Sequence, residues 1–259
     1  VAQAQFCITP FSQCNNVNMT NVTTNSFRIN WNKGSGDYSI VILKPAVNSR
    51  IAPQSSNLGN YNQNSNYGSG TNLGNLNYVV YKGQGNFVNI TGLSPNTNYE
   101  AYVYSYNMST ILTTVYCLNT TVGSNNALKY TLATKPTNVP TISLVGTPGS
   151  TNASISIGGT GYSWNLLSVR NQTVAGQNPV DGIYYLPSPS FGNGAQIGGT
   201  NTLNYSSYFG SPTATVNLTN LQPATNYWAR VYAANGTGSS VNNSYNYFGS
   251  FNVISFSTF

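Results

Sequence analysis

A seven-residue segment occurs twice in this chain. Leu93-Ser94-Pro95-Asn96-Thr97-Asn98-Tyr99 returns as Leu221-Gln222-Pro223-Ala224-Thr225-Asn226-Tyr227, 128 residues further on. Upstream, Tyr67-Gly68-Ser69-Gly70-Thr71-Asn72-Leu73-Gly74 is matched by Phe191-Gly192-Asn193-Gly194-Ala195-Gln196-Ile197-Gly198 at a spacing of 124. Two blocks kept in order, at spacings four residues apart, imply a duplicated module with a small loop insertion. The 259 residues therefore divide into two similar domains of ordinary size.

Helical periodicity is nowhere sustained. Short alternating runs rich in Val, Ile, Tyr, Phe and Thr recur instead, separated by Gly, Asn, Ser and Pro. That pattern predicts an all-β chain. In the first module strands are expected at 26–31, 39–43, 78–81, 87–91, 99–106 and 127–133. Phe27, Ile29 and Trp31 should face inward on the first of these, and Leu128, Tyr130 and Leu132 on the last. The stretch from Thr134 to Pro140 has two prolines and no apolar pattern, so it reads as a linker. The series then restarts at 155–157, 164–169, 202–208, 214–218, 227–233 and 251–256. The expected organisation is an arm over 1–14, a sandwich over 15–134, a linker over 135–140 and a second sandwich over 141–259. Each sandwich should have seven strands and almost no helix.

The repeated L-x-P-x-T-x-Y segment carries a mechanism. Its Leu ends one strand in the core, its Pro sets a turn, and its Tyr opens the next strand while its hydroxyl returns to the backbone. This is the tyrosine corner of β-sandwiches, here at Tyr99 and Tyr227. Small and β-branched residues follow inward with period two: Ala101, Val103 and Ser105, then Ala229, Val231 and Ala233. These segments, with Trp31 in an early strand, resemble fibronectin type III domains over about nine-tenths of the chain. The second module departs at Ser156-Ile157-Gly158-Gly159, where a Trp is expected; Trp164 is the candidate to fill that volume. Asn77 to Gly83, Asn178 to Tyr185 and the Phe191 to Gly198 block resemble the variant common in secreted and surface proteins of Bacteroidota. The resemblance implies two tandem immunoglobulin-like β-sandwiches at the cell surface or outside the cell. It is specific for fold and weak for function.

Charge is scarce: 5% of residues are Asp, Glu, Lys or Arg, against roughly 25% in an average soluble domain. The nine basic residues form no run or stripe, so nucleic-acid binding is not expected. No apolar stretch approaches the roughly 18 residues of a membrane-spanning helix. His is absent, and the three carboxylates, Asp37, Glu100 and Asp181, are far apart in sequence. General acid–base and triad chemistry want a His or a paired carboxylate. The three are read as scattered surface groups, and no catalytic, cofactor or metal site is expected. Sequons such as Asn89-Ile90-Thr91 carry little weight in a chain so rich in Asn, Ser and Thr.

The resemblance also bears on the three cysteines, Cys7, Cys14 and Cys117. In this fold the start of the first strand shares a pole with the loop before the last strand. A Cys14–Cys117 bridge is therefore expected, with Cys7–Cys14 as runner-up. Tyr102, Tyr104 and Tyr106 should point away from the sandwich interior, as should Trp228, Arg230 and Tyr232 at the matching positions. They would make an aromatic platform for sugar rings, or be buried by the long connections over about 48–75 and 171–200. The second reading is preferred, since monomers avoid large exposed apolar patches.

Two functions from different classes remain. One is a non-catalytic stalk, adhesin segment or subunit of a surface appendage, whose partners are copies of itself, other surface proteins or glycans. The other is an accessory carbohydrate-binding or spacer unit of a secreted polysaccharide-degrading enzyme. Sheet edges usually carry charge that deters pairing, and this chain has little. The arm from Val1 to Ile8 is apolar enough to dock. It is expected to pack on a neighbouring module or subunit, by strand addition, or else on the flank of its own module.

Overall fold

The computed structural model describes residues 7–109, 114–171 and 176–259. The chain separates into two units, Val1–Thr131 and Leu132–Phe259. In the first, the strands are β1 (Asn15–Thr20), β2 (Phe27–Asn32), β3 (Tyr38–Pro45), β4 (Tyr78–Gly83), β5 (Phe87–Ile90), β6 (Asn98–Ser109), β7 (Val115–Leu118) and β8 (Asn126–Tyr130). A 3-10 turn at Ser55–Asn60 lies between β3 and β4. In the second, they are β9 (Thr141–Val145), β10 (Ala153–Gly158), β11 (Trp164–Arg170), β12 (Tyr205–Gly210), β13 (Ala214–Leu218), β14 (Asn226–Asn235), β15 (Asn246–Tyr247) and β16 (Asn252–Ser257).

One sheet of the first unit runs β1-β2-β5, the other β4-β3-β6, with β7 and β8 both on the far side of β6. The second unit repeats this as β13-β10-β9 and β12-β11-β14, with β15 and β16 both on β14. The chain is all-β, and each unit has the strand order of a fibronectin type III-like sandwich.

Among the described residues each unit has eight strands rather than seven, because its sixth strand outruns its first partner. β6 pairs with β8 from Asn98 to Tyr102 and with β7 from Tyr106 to Ser109. The step between is filled locally. Val103 N–H donates to Asn125 O at 2.9 Å, and Ser105 N–H donates to Gln13 Oε1 at 2.6 Å. The short strands β1, β7, β9 and β15 lack a long apolar alternation and carry no strong sequence signal.

Strand alternation places the core. Phe27, Ile29 and Trp31 are buried between the sheets with Val41, Leu43, Val80, Ala101 and Val103. Ile155, Ile157, Leu167, Val169, Ala229 and Val231 do the same in the second unit. Tyr99 and Tyr227 stand at the corners. The Ser94 N–H donates to the Tyr99 hydroxyl at 3.1 Å, and the Gln222 N–H to the Tyr227 hydroxyl at 2.7 Å.

Two sequence expectations are corrected here. Leu128 and Tyr130 do not face inward: β8 sets them opposite Glu100 and Asn98 on the outer face, where Leu128 is 47% exposed. Trp164 does not fill the space opposite Ile157 either. It belongs to the outer face of β11, stacks on Phe209, and donates its indole N–H to Gly236 O at 2.8 Å. Ile157 itself completes the inter-sheet core.

The connection between the third and fourth strands explains the repeated glycine block. In both units it folds back along the sandwich and pairs in parallel with the residue after the fifth strand. Tyr67 N–H donates to Thr91 O and Thr91 N–H to Ser65 O, at 2.9 and 3.0 Å. Phe191 N–H donates to Thr219 O and Thr219 N–H to Pro189 O, at 2.9 and 3.0 Å. The aromatic ring of the block then plugs the edge of the core. Tyr67 meets Tyr78 and Tyr99 at 5.0 and 5.2 Å between centroids; Phe191 meets Tyr205 and Tyr227 at 5.3 and 5.1 Å. The second glycine of each block lies against the neighbouring strand. A Cβ at Gly70 would fall 2.2 Å from Val79 O, and one at Gly194 1.9 Å from Ser206 O. No side chain fits there.

Gly194→Ala should accordingly destabilise the second unit by about 1–3 kcal/mol, the usual cost of overpacking. Gly249→Ala, where an added Cβ meets nothing within 4 Å, should stay within about 0.5 kcal/mol of the parent. Denaturant melts of the two variants check the contrast.

Candidate functional site

The residues that could carry function lie on the outer face of the sheet containing β3 and β6, and on its counterpart in the second unit. Cβ alternation sends Tyr102, Tyr104 and Tyr106 to this face of β6, away from the sandwich interior. None is a platform. Tyr104 has no exposed surface, and Tyr102 and Tyr106 are 8% and 4% exposed. The connection covers them, contributing Leu58, Tyr61 and Leu73 to a second core with Ile40, Ile42 and Val79. In the second unit Tyr232 is fully buried under Tyr185 and Ile197, while Trp228 is half-buried. The aromatic-platform reading is overturned for the tyrosines, and the reading in which the connections cover this face holds.

Beneath the first connection sits an ion pair. β3 and β6 place Lys44 opposite Glu100, and Lys44 Nζ donates to Glu100 Oε2 at 2.6 Å. The side chains are 2% and 13% exposed. The other carboxylate oxygen accepts from the Tyr102 hydroxyl at 2.7 Å and from Asn126 Nδ2 at 3.1 Å. Burial pushes the Glu100 carboxyl up, but hydrogen bonds from Lys44, Tyr102 and Asn126 outweigh it, and the group is held below the ordinary carboxylate value. Burial, helped by Glu100, raises the Tyr102 phenol to about 12. Arg50 on the connection closes the cluster by donating to the Tyr104 hydroxyl at 2.9 Å. Glu100 is thus not the surface carboxylate that the sequence suggested. Its signal was present: it is the sole Glu, flanked on its strand by residues of a buried aromatic ladder.

The other carboxylates lie elsewhere. Asp37 precedes β3, at the end away from Lys44. Asp181 belongs to the second unit, where its Oδ1 accepts from Tyr247 N–H at 2.8 Å. Among the described residues no three His, Cys, Asp or Glu side chains cluster as metal ligands. A crevice of about 590 Å³ between the 3-10 turn and β7 is lined by Ser55, Ser56, Asn60 and Tyr116, among others, and holds no acid–base pair.

The disulfide is Cys7–Cys117, with Cα atoms 5.8 Å apart. The expected Cys14–Cys117 bridge and the runner-up Cys7–Cys14 bridge are both overturned. Cys14 is a buried free thiol. It points into the pole of the sandwich, where its Sγ lies 3.2 Å from Ser105 Oγ and 3.5 Å from Ser39 Oγ. Cys117 lies on β7, paired with Asn107 at the far end of β6, where Cys7 and Ile8 of the arm run. The arm from Cys7 is held on its own unit: Asn107 Nδ2 donates to Ile8 O at 2.8 Å and Asn119 Nδ2 to Pro10 O at 3.0 Å. Residues 1–6, which carry most of the expectation for an arm docking elsewhere, lie outside the described residues.

No family model matches the chain, and no curated protein matches it. Solved structures resemble it distantly. A two-domain fibronectin type III segment of chicken tenascin aligns over 93% of this chain and 98% of its own, at 11% identity and a TM-score of 0.32. The first three fibronectin domains of chicken CNTN1 align over 97% of this chain and 68% of their own, at 16% identity and a TM-score of 0.41. The fibronectin type III-like class rests on the strand order and the two tyrosine corners.

Glu100→Gln should cost the first unit about 3–5 kcal/mol, because it leaves Lys44 charged and buried. The parent should also lose stability in acid. A carboxyl lowered in the folded state contributes fully above its unfolded value, near 4.5, and loses that contribution as pH falls through the lower folded value. Urea melts from pH 7 to pH 3 should show that loss in the parent and not in the variant.

Proposed function

We propose that the chain is a non-catalytic structural and interaction module of an extracellular or cell-surface protein, a stalk, adhesin or appendage segment that associates through uncharged sheet faces. The observation that carries this reading is the outward face of the β1-β2-β5 sheet and of its counterpart β9-β10-β13. Strand alternation presents Asn18, Thr20, Asn30 and Asn89 there in the first unit, and Ser143, Ser154, Ser156, Thr215 and Asn217 in the second. Asn30 Nδ2 donates to Asn18 Oδ1 at 3.2 Å, and Ser154 Oγ to Asn217 Oδ1 at 2.8 Å. The side chains thus bond along the sheet and form amide and hydroxyl arrays. One charge, Arg28, interrupts them, and its guanidinium lies over the Phe87 ring at 3.7 Å. Such faces hydrogen-bond to a copy of themselves without charge repulsion. The Cys7–Cys117 disulfide suits an oxidising compartment. Among the described residues no helix is long and apolar enough to cross a membrane.

The absence of His from the sequence and the sequestration of Glu100 support the non-catalytic part of the reading. The alternative, an accessory unit of a polysaccharide-degrading enzyme, loses its main support with the burial of the tyrosine ladder.

Sedimentation of the purified chain at rising concentration tests the proposal. Association is expected to change little between low and high salt, because few charges meet. It should be lost in the double variant Asn30→Lys, Ser156→Lys, which sets like charges on the arrays. A parent that stays monomeric, or a double variant that associates unchanged, would contradict the role given to these faces.

A further inference from the structure

The buried ion pair of the first unit has a third member. Lys44 Nζ donates to Glu100 Oε2 at 2.6 Å, and Asn126 Nδ2 donates to Glu100 Oε1 at 3.1 Å. One carboxylate therefore holds an amine at one oxygen and a primary amide at the other. The three side chains come from neighbouring strands: Lys44 from β3, Glu100 from β6 and Asn126 from β8. None of the three is repeated in the second unit. The register equivalents there are Arg170 and Trp228, paired across β11 and β14. The third is Val253 on β16, which pairs with Arg230 as Asn126 pairs with Tyr102. The set is present as a whole in one unit and replaced as a whole in the other.

The surroundings suit chemistry between these groups. Lys44 and Glu100 are sequestered, and Asn126 is half-buried. The Tyr102 hydroxyl donates to the same Glu100 Oε1 at 2.7 Å, and Lys44 Nζ lies 5.9 Å from the centre of the Tyr102 ring. Water that would solvate the ammonium is largely excluded. A lysine becomes nucleophilic when a base within hydrogen-bond reach takes its proton. Glu100 is such a base. The pair is ionised at rest, as described above, but one proton moved across 2.6 Å makes it a neutral pair. Burial lowers the cost of that transfer, because isolated charges are what a dry site penalises.

We propose that Lys44 and Asn126 are the reactants of an intramolecular amide bond, formed once after folding, with Glu100 as its acid–base group. Glu100 Oε2 takes a proton from Lys44 Nζ, the amine adds to Asn126 Cγ, and the Cγ–Nδ2 bond breaks. The flexible stem of the lysine carries Nζ from the carboxylate to Cγ. Of the three Nζ protons, one stays in the new amide. Two pass through the carboxylate to Nδ2, which leaves as ammonium. Glu100 ends ionised, and no oxidant or cofactor is consumed. A side-chain amide is an inert acyl donor, and holding both reactants on one carboxylate supplies the proximity that its attack requires. The unit turns over no substrate, so the module remains non-catalytic in the sense proposed above, and the bond does not depend on self-association. It joins β3 to β8 across β6 and closes the chain from 44 to 126, overlapping the loop closed by Cys7–Cys117. A pull on the two ends of the unit is then carried by the bond rather than by the strands between.

Mass spectrometry of the purified chain, reduced and denatured, tests the proposal. The parent should be lighter than its sequence mass by one ammonia. Lys44→Arg, Asn126→Ala and Glu100→Gln should each show their own full sequence mass, with the Trp31 indole signal reporting before denaturation that the first unit is folded. Trypsin should release from the parent one species that joins residues 34–50 to residues 83–129 and survives reduction; this map needs no variant to fold. A parent at its full sequence mass overturns the proposal. So does a deficit that persists in Lys44→Arg, the mark of a succinimide at Asn193-Gly194 or Asn235-Gly236. A cross-link that still forms in folded Glu100→Gln overturns the part given to Glu100.

Discussion

Tyr104 and Tyr232 have no exposed surface, although each sits on the face of its sheet that points away from the sandwich interior. A two-layer sandwich would leave them in water. They are dry because the connection between the third and fourth strands is laid over them as a third layer. Most of what distinguishes these units follows from that cover. The sheet beneath it is covered on both faces, so β3 is buried along six consecutive residues, Ser39 to Lys44. In the first unit the charges on that face, Lys44 and Glu100, neutralise each other. The cover itself must be anchored at the sandwich edge, which the parallel bridges at Thr91 and Thr219 accomplish. Gly70 and Gly194 let its backbone pass close to the adjacent strand.

The fold was largely legible because its strongest signals are local. The tyrosine corner and the inward alternation at Phe27, Ile29 and Trp31 are each read within a few residues, and the duplication repeats such local signals in order. What escaped depends on distant partners. Cys117 pairs with Cys7 rather than Cys14 because β7, an unforeseen strand, carries Cys117 to the end of β6 where the arm runs. Leu128 reads as inward from its hydrophobicity, and only the register against β6 sets it beside Glu100. Trp164 matched a missing volume by size, but one-residue alternation along β11 turns it to the opposite face. The burial of the tyrosine ladder was foreseen from the cost of exposing it, and the residues that bury it, Leu58 and Tyr61, were not.

The two units share a frame and differ in charge. The first encloses a complete ion pair, and the second encloses cations and aromatic rings. Their outward faces agree again: mostly amide and hydroxyl groups, with almost no charge. A segment built this way presents similar neutral faces on both units, while the covered faces are where they diverge. The proposed structural role uses the shared surface.

Native-state hydrogen exchange tests the central claim, that the connections are integral layers and not flaps over a binding face. The amides of Tyr67, Val79 and Phe191 anchor the cover; those of Val103 and Val231 lie in the core strands. If the cover folds with its unit, both sets should open with the same free energy and the same denaturant dependence, as one cooperative unit does. Exchange of Tyr67 and Phe191 through a low-energy local opening, while Val103 and Val231 stay protected, would contradict the account and return the tyrosine ladder to the list of accessible surfaces.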